Sequence, residues 1–186
     1  CESWQCLSRH PPQGRCIQLA IAADITYNTA LDMNIVLIAP EIPHNTGAVG
    51  RLCVCLGARL HLIRPLGFSL TTSHLKRAGL DYWAHLDLSV HTTWEAFLEA
   101  ENPGQLIFGS TRATQSYFDC RVAPNCTLIF GNESSGLPSE FYTRYRDDLY
   151  ALPMPGRHAR SHNLAMAVAA FAYEAYRQQP HAGPPS

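Results

Sequence analysis

A short apolar run, NIVLIA at residues 34–39, is closed by Pro40 and followed by a polar turn, a helical segment and another strand-like run, RLHLI at 59–63. An unbroken apolar run of this length marks a strand covered on both faces. Two such strands separated by a helix cannot pair as a hairpin; they pair in parallel, with the helix as crossover. The unit recurs. Strands are predicted at 34–39, 59–63, 84–88, 105–109, 127–130 and 149–152. Helices are predicted from Asn45 or Thr46 to Gly57, at 71–78, from Thr92 or Thr93 to about Asn102, at 137–142 and at 163–178. The expected fold class is α/β, a mostly parallel sheet with helices on both faces. Strand order is not readable from the pattern.

The chain has 186 residues, enough for one domain with a real core. A formal charge of −1 gives no support to a strongly basic nucleic-acid binder and leaves room for a local basic patch. The seven cysteines (1, 6, 16, 53, 55, 120 and 126) show no metal spacing and no regular framework. That usage points to a reducing compartment, the cytoplasm. No run is long enough to span a membrane, and no secretory leader is evident. Residues 1–32 are rich in Cys, Gln and Pro and lack a period. They read as a dispensable extension, disordered or upstream of the true start. The domain proper runs over 33–178, and residues 179–186 read as a disordered tail.

Three strand ends carry unusual polar loops: 40–51, 131–138 and 153–163. The last holds Arg157, His158, Arg160, Ser161, His162 and Asn163 just before a helix rich in alanine. Polar groups at a strand end and a helix N-terminus form either an anion or cofactor site, or an ordinary capped turn. In a parallel sheet the three loops share one edge, the usual place for ligands. Together they offer Asn45, Arg51, Glu133, Arg157, Arg160, Ser161 and Asn163; Ser110 to Ser116 adds Arg112. Each has a plain reading as a cap, a turn residue or a solvated charge. There is no G-x-G-x-x-G, no G-K-[ST] and no G-x-S-x-G. His44, His158 and His162 lack a compact set of partners, so no metal site is expected. His74, His85 and His91 read as surface residues.

Five blocks in order carry a family resemblance: PEIPHNTGAVGRLC at 40–53, LIRPLGF at 62–68, RAGLDYW at 77–83, FGNESSGLP at 130–138 and LPMPGRHARSHNLAMAVAAFAYEAYRQ at 152–178. Over roughly residues 33–178 the chain resembles the SPOUT class of RNA methyltransferases. It is most similar there to the single-domain tRNA (cytidine/uridine-34)-2′-O-methyltransferases. The resemblance implies a C-terminal trefoil knot, an obligate homodimer, S-adenosylmethionine as methyl donor and the tRNA anticodon loop as partner. It places Asn45 and Arg51 in the first motif, Glu133 in the second, and Ser161 and Asn163 in the third. Gly109, Gly131, Leu152, Ser161 and Leu164 match the cofactor loops. Arg157, Arg160 and Arg112, with Arg64, Lys76 and Arg77, match a patch for RNA phosphates.

The chemistry implied is methyl transfer to a ribose 2′-hydroxyl, with no metal required. That hydroxyl is a poor nucleophile, so a base or a strong field must sit beside it. A guanidinium is a very weak base, which favours clamp and field as the role of Arg51. Asn45 would fix Arg51 or the nucleotide. The chain departs from the family pattern at His44, Ala48, Asn132, Ser135, Ala165 and Met166; none of these is a proposed catalytic residue. Alternatives are a 2′-O-methyltransferase acting elsewhere on tRNA or rRNA, and a catalytically silent RNA-binding dimer.

Overall fold

In the computed structural model, which describes residues 32–69 and 81–179, strand β1 (Asn34–Ile38) lies inside a seven-stranded sheet. The others are β2 (Arg59–Ile63), β3 (Leu88–His91), β4 (Leu106–Gly109), β5 (Gln115–Ser116), β6 (Thr127–Phe130) and β7 (Leu149–Ala151). Their order is β3-β2-β1-β6-β4-β7-β5, and every neighbouring pair is parallel. From β1 the chain builds outward through β2 and β3, then crosses to the other side of β1. The crossing makes a topological switch, and crevices at the C-terminal strand ends there are ligand sites.

The central strands are apolar on both sides because both sides are covered. Ile35 and Leu37 of β1, with Leu60, Leu62, Leu128 and Phe130, face one layer. That layer is closed by Val49 and Cys53 of helix α1 (Pro43–Leu56) and by Val168, Phe171, Ala172 and Ala175 of helix α4 (Leu164–Gln178). Val36, Ile38, Ile63, Phe108 and Ile129 face the opposite layer. There they meet Trp94 and Phe97 of helix α2 (Trp94–Glu101), and Phe141 of the short helix α3 (Phe141–Arg144). Alternate residues of one strand therefore serve two cores.

The segment 117–123 runs along the C-terminal half of α4. Tyr117 stacks on Phe171 with ring centroids 3.8 Å apart, and its hydroxyl donates to the Phe171 carbonyl at 2.9 Å. The Gln178 side chain accepts from Val122 N at 3.0 Å and donates to the Cys120 carbonyl at 3.0 Å. Gln179 is buried and donates to the Ala123 carbonyl at 3.1 Å, so it belongs to the folded domain rather than the tail. Burial raises the Tyr117 hydroxyl above its ordinary range, keeping it a neutral donor.

Several local expectations differ. Residues 84–88, expected as a strand, are the end of a 3-10 turn (Asp81–His85) and the start of β3. The strand itself begins at Leu88, where Leu88 to His91 can pair with β2. The helix expected at 137–142 is a turn followed by Phe141–Arg144. Two residues of the loop 110–116 pair with β7 as β5. Helix α1 starts at Pro43, with Ile42 as N-cap and no side-chain cap, so neither Asn45 nor Thr46 caps it. The stop at Gly57 (φ 66°) and the caps by Thr93 and Asn163 agree with the sequence reading. The expected helix at 71–78, with His74, Lys76 and Arg77, lies outside the described residues. Cys53, Cys55, Cys120 and Cys126 are free thiols, and burial pushes Cys53 and Cys126 up to about 12. Among the described residues no helix is long and apolar enough to cross a membrane.

His61 on β2 is 1% exposed. Burial pulls its imidazole from the ordinary 6.5 down to about 4, against Glu101 and Asp87, which favour the charge, and with His91 and Arg59, which oppose it. Its folded value lies below its unfolded one. The associated stability is therefore complete above pH ~6.5 and is lost as pH falls from there toward the folded value. The loss attributable to His61 is expected to be roughly 3 kcal/mol at most. Denaturant unfolding at pH 7 and pH 4.5, in chelator-treated buffer, should show a smaller acid loss in His61→Gln than in the wild type. Equal losses would remove His61 from the account.

Candidate active site

Glu133 follows β6 in the turn Gly131 to Gly136. An antiparallel bridge between Asn132 and Gly136 closes this turn. Asn132 Oδ1 accepts from Ser135 N at 2.7 Å, Ser135 Oγ at 2.9 Å and Gly136 N at 3.2 Å. Gly131 must be glycine: a Cβ there would sit 2.0 Å from the Gly136 carbonyl carbon. Gly136 has φ +76°. The turn aims the Glu133 carboxylate at the start of α1, where Oε2 accepts from Glu41 N at 2.9 Å and Oε1 from Ile42 N at 3.3 Å. A carboxylate 91 residues away from Ile42 thus satisfies the N–H groups just ahead of the helix, at the positive end of its dipole.

The network continues through Asn45, a buried residue of the first turn of α1. Asn45 Nδ2 donates to Glu133 Oε1 at 2.8 Å, and Asn45 Oδ1 accepts from Asn163 Nδ2 at 3.0 Å. Asn163 Oδ1 in turn caps α4, accepting from Ala165 N at 2.9 Å and Met166 N at 3.4 Å. Three loops distant in sequence are therefore tied by one chain of hydrogen bonds: Glu133, Asn45, Asn163, helix α4. The amide of Asn45 is engaged by Glu133 and Asn163 rather than by Arg51.

Beside this network, at the C-terminal ends of β4, β6 and β7, lies a cavity of about 620 Å³. Gly109, Gly131, Leu152, Ser161 and Leu164 all line it, as do Asn45, Glu133 and Asn163. So do Arg112 and Arg160; Arg157 is exposed outside it. Phe130 forms part of its floor and is why Gly109 is glycine, since a Cβ there would come within 2.4 Å of the Phe130 ring. Apolar walls from Phe130, Leu152 and Leu164, facing polar groups such as Ser110, Thr111, Asn132 and Ser135, suit a nucleoside-sized ligand.

Arg51 stands apart. It lies six residues beyond Asn45, about 9 Å farther along the α1 axis. Its guanidinium sits 4.7 Å from the centre of the Tyr82 ring, and the Tyr82 hydroxyl donates to the Gly47 carbonyl at 2.7 Å. Arg51 is exposed and does not line the cavity of its own chain. Tyr142 was not found by sequence reasoning. It lines the cavity, its hydroxyl is 3.0 Å from Ser110 Oγ, and its ring carries the Arg112 guanidinium at 5.1 Å. It comes from the short helix α3, and its sequence context gives no signal of a site.

Glu133→Gln keeps the size of the side chain but turns one acceptor into a donor facing N–H groups. Urea unfolding should show a loss of about 1–2 kcal/mol relative to wild type. No change in the midpoint would mean that the carboxylate does not hold the start of α1.

Comparison with known proteins supplies the context for this geometry. The SpoU rRNA Methylase family profile matches residues 32–173. A tRNA (cytidine(34)-2′-O)-methyltransferase of Burkholderia ambifaria is 44% identical over 149 residues, covering 78% of this chain and 94% of the relative. A solved structure described as giving insight into the 2-OH methylation of C/U34 on tRNA is 49% identical, with a TM-score of 0.73 over 78% of this chain and 95% of the other. The SpoU methyltransferase AviRb from Streptomyces viridochromogenes, solved in complex with AdoMet, shares the fold at 24% identity, with a TM-score of 0.65 over 82% of this chain and 62% of the other. A parallel sheet with its cavity at the switch point, the matched profile and relatives this similar lead to one assignment: the chain belongs to the SpoU methylase family, within the SPOUT class.

Proposed function

We propose that this chain transfers a methyl group from S-adenosylmethionine to the ribose 2′-hydroxyl of the wobble nucleotide, C34 or a modified U34, in the tRNA anticodon loop. The observation that carries the reading is that the network Glu133–Asn45–Asn163 borders the same cavity as the five residues matched to the cofactor loops. The similarity to relatives named for position 34 supports the substrate. The cavity fits the cofactor in volume and chemistry: apolar walls from Phe130, Leu152 and Leu164 for adenine, and lining glycines, Gly109 and Gly131, that add no side chain to fill it. When bound, the cofactor supplies a methyl group already activated by a positive sulfur.

The protein's part is to bind, orient and stabilise charge. Ser161 and Asn163 orient the ribose, and Glu133 keeps the loop rigid beneath them. Arg112, Arg157 and Arg160 are exposed around the cavity side and take up phosphates. Arg51 clamps a phosphate and stabilises the developing alkoxide. Since Arg51 does not reach the cavity of its own chain, this role needs a second copy, and we infer a homodimer in which Arg51 of one protomer serves the cavity of the other. Exposed apolar side chains support a covered face: Met166 is 65% and Tyr173 53% exposed on one stripe of α4, and Phe118 is 58% exposed. We further assign to the C-terminal segment the trefoil threading of the SPOUT class. The close fastening of 117–123 along α4 supports it. The free thiols of Cys53, Cys55, Cys120 and Cys126, the cysteines among the described residues, support a cytoplasmic setting.

Labelled S-adenosylmethionine and total tRNA lacking this modification should yield a 2′-O-methyl group at position 34 on nuclease mapping. Methylation at another position would transfer the substrate to a different site on tRNA or to rRNA. Arg51→Ala should lose on the order of 10²–10³ in turnover while retaining cofactor binding. Mixing Arg51→Ala with Asn163→Ala chains tests the shared site: refolded mixtures should regain a substantial fraction of activity through heterodimers with one intact site. Failure to regain any would place Arg51 and Asn163 on the same protomer's site.

A further inference from the structure

On the far side of the sheet, away from the cavity, three side chains converge from three elements. His61 lies on β2, His91 ends β3 and Glu101 ends α2. His61 Nδ1 is 3.1 Å from His91 Nε2, and Glu101 Oε1 is 3.8 Å from the first and 3.9 Å from the second. We propose that His61, His91 and Glu101 form a binding site for one divalent metal ion of the zinc class, separate from the methyl-transfer site.

The triangle of donor atoms has a centre about 2.1 Å from each, the bond length that zinc takes to imidazole nitrogen and carboxylate oxygen. Two imidazoles and a carboxylate are a borderline donor set that suits zinc and leaves a fourth position for water. Water can reach it, since the His91 and Glu101 side chains are 10% and 21% exposed while His61 is 1% exposed.

The surroundings orient the donors as metal ligands are oriented. His61 Nε2 faces Asn34 Oδ1 at 3.2 Å. Its N–H is thereby assigned to Nε2, and the lone pair of Nδ1 points into the triangle. The other carboxylate oxygen, Glu101 Oε2, faces the Arg59 guanidinium at 3.8 Å, which leaves Oε1 for the triangle. Outer partners of this kind fix the tautomer and aim of metal ligands. The Phe97 ring lies edge-on to both imidazoles, 5.1 and 5.3 Å away, and walls the site on its inner side. Without metal, His91 Nε2–H donates to His61 Nδ1. On metal binding that proton moves to His91 Nδ1, with no net charge change on the protein. An ion here joins β2, edge strand β3 and α2.

The sequence reading missed this site. It took His91 for a surface residue and found no metal set, because the ligands are 30 and 10 residues apart with no local spacing. It forms only when β3 pairs with β2 and α2 folds back over them.

The test uses the full chain, stripped with EDTA and titrated with Zn²⁺ and Co²⁺. One ion should bind per chain at micromolar concentration or below, Co²⁺ should give the visible bands of a four-coordinate site, and Zn²⁺ should raise Tm. His91→Gln and Glu101→Gln should each weaken binding by at least ~100-fold without lowering the Tm of the metal-free chain by more than a few degrees. His158→Gln/His162→Gln should leave it unchanged. X-ray absorption on the zinc-loaded wild type should read two imidazoles with oxygen and no sulfur, an outcome independent of how the variants fold. Absence of saturable binding, unweakened binding in the two variants, or a sulfur-containing shell would overturn the proposal.

Discussion

A single carboxylate holds the working edge of this molecule together. Glu133 accepts two backbone N–H groups at the start of α1 and the amide of Asn45. Those N–H groups lie just ahead of the first turn of α1, whose N-cap Ile42 has no side-chain acceptor. A charged acceptor at the positive end of a helix is favoured by both hydrogen bonding and the dipole. Asn45 then passes the constraint to Asn163, and Asn163 to the N-terminus of α4. The relative positions of α1, the 131–136 turn and α4 follow from this chain.

The cavity beside the network takes its shape from what is missing rather than from what is added. Gly131 lets two backbone segments approach where a Cβ would collide with Gly136. Gly109 leaves room for Phe130, whose ring packs perpendicular to Phe171 with centroids 5.2 Å apart. Phe171 in turn stacks on Tyr117, which anchors the segment 117–123 to α4. The apolar floor of the cavity and the packing that secures the C-terminal helix are thus one continuous set of aromatic contacts. A ligand bound there would rest on the part of the fold that the segment 117–123 holds in place.

The two layers of the sheet carry different burdens. The layer under α1 and α4 supplies Phe130, Leu164 and Phe171 to the cavity. The layer under α2 holds a tight aromatic group, with Trp94 stacked on Phe97 at 5.2 Å and donating from Nε1 to Tyr145 Oη at 2.8 Å. It also holds the buried His61 with His91 and Glu101. A buried imidazole is tolerated at the sheet because both of its nitrogens have partners.

Much of this was legible in the residues. NIVLIA, QLIFG and CTLIF could only be covered strands, and the helices between them required parallel pairing. Gly57, Thr93 and Asn163 marked helix ends by their own chemistry. The polar loops after β1, β6 and β7 stood out because a parallel sheet brings such strand ends to one edge, although each residue there also read as a cap, a turn residue or a solvated charge. Other features depended on partners remote in sequence. The weak pattern of 84–88 did not reveal that pairing with β2 begins only at Leu88. Asn45 looked like a cap because a cap is the local use of asparagine, whereas its amide is taken by Glu133 and Asn163, 88 and 118 residues away. The sequence by itself determined the element types, the two-sided burial of the sheet and the family, since these rest on local period and motif. Tertiary structure decided the strand order, the Glu133 network, the separation of Arg51 from its own chain's cavity and the meeting of His61 with His91 and Glu101. Each of these is a distance between residues far apart along the chain, set by crossovers whose course no local pattern encodes.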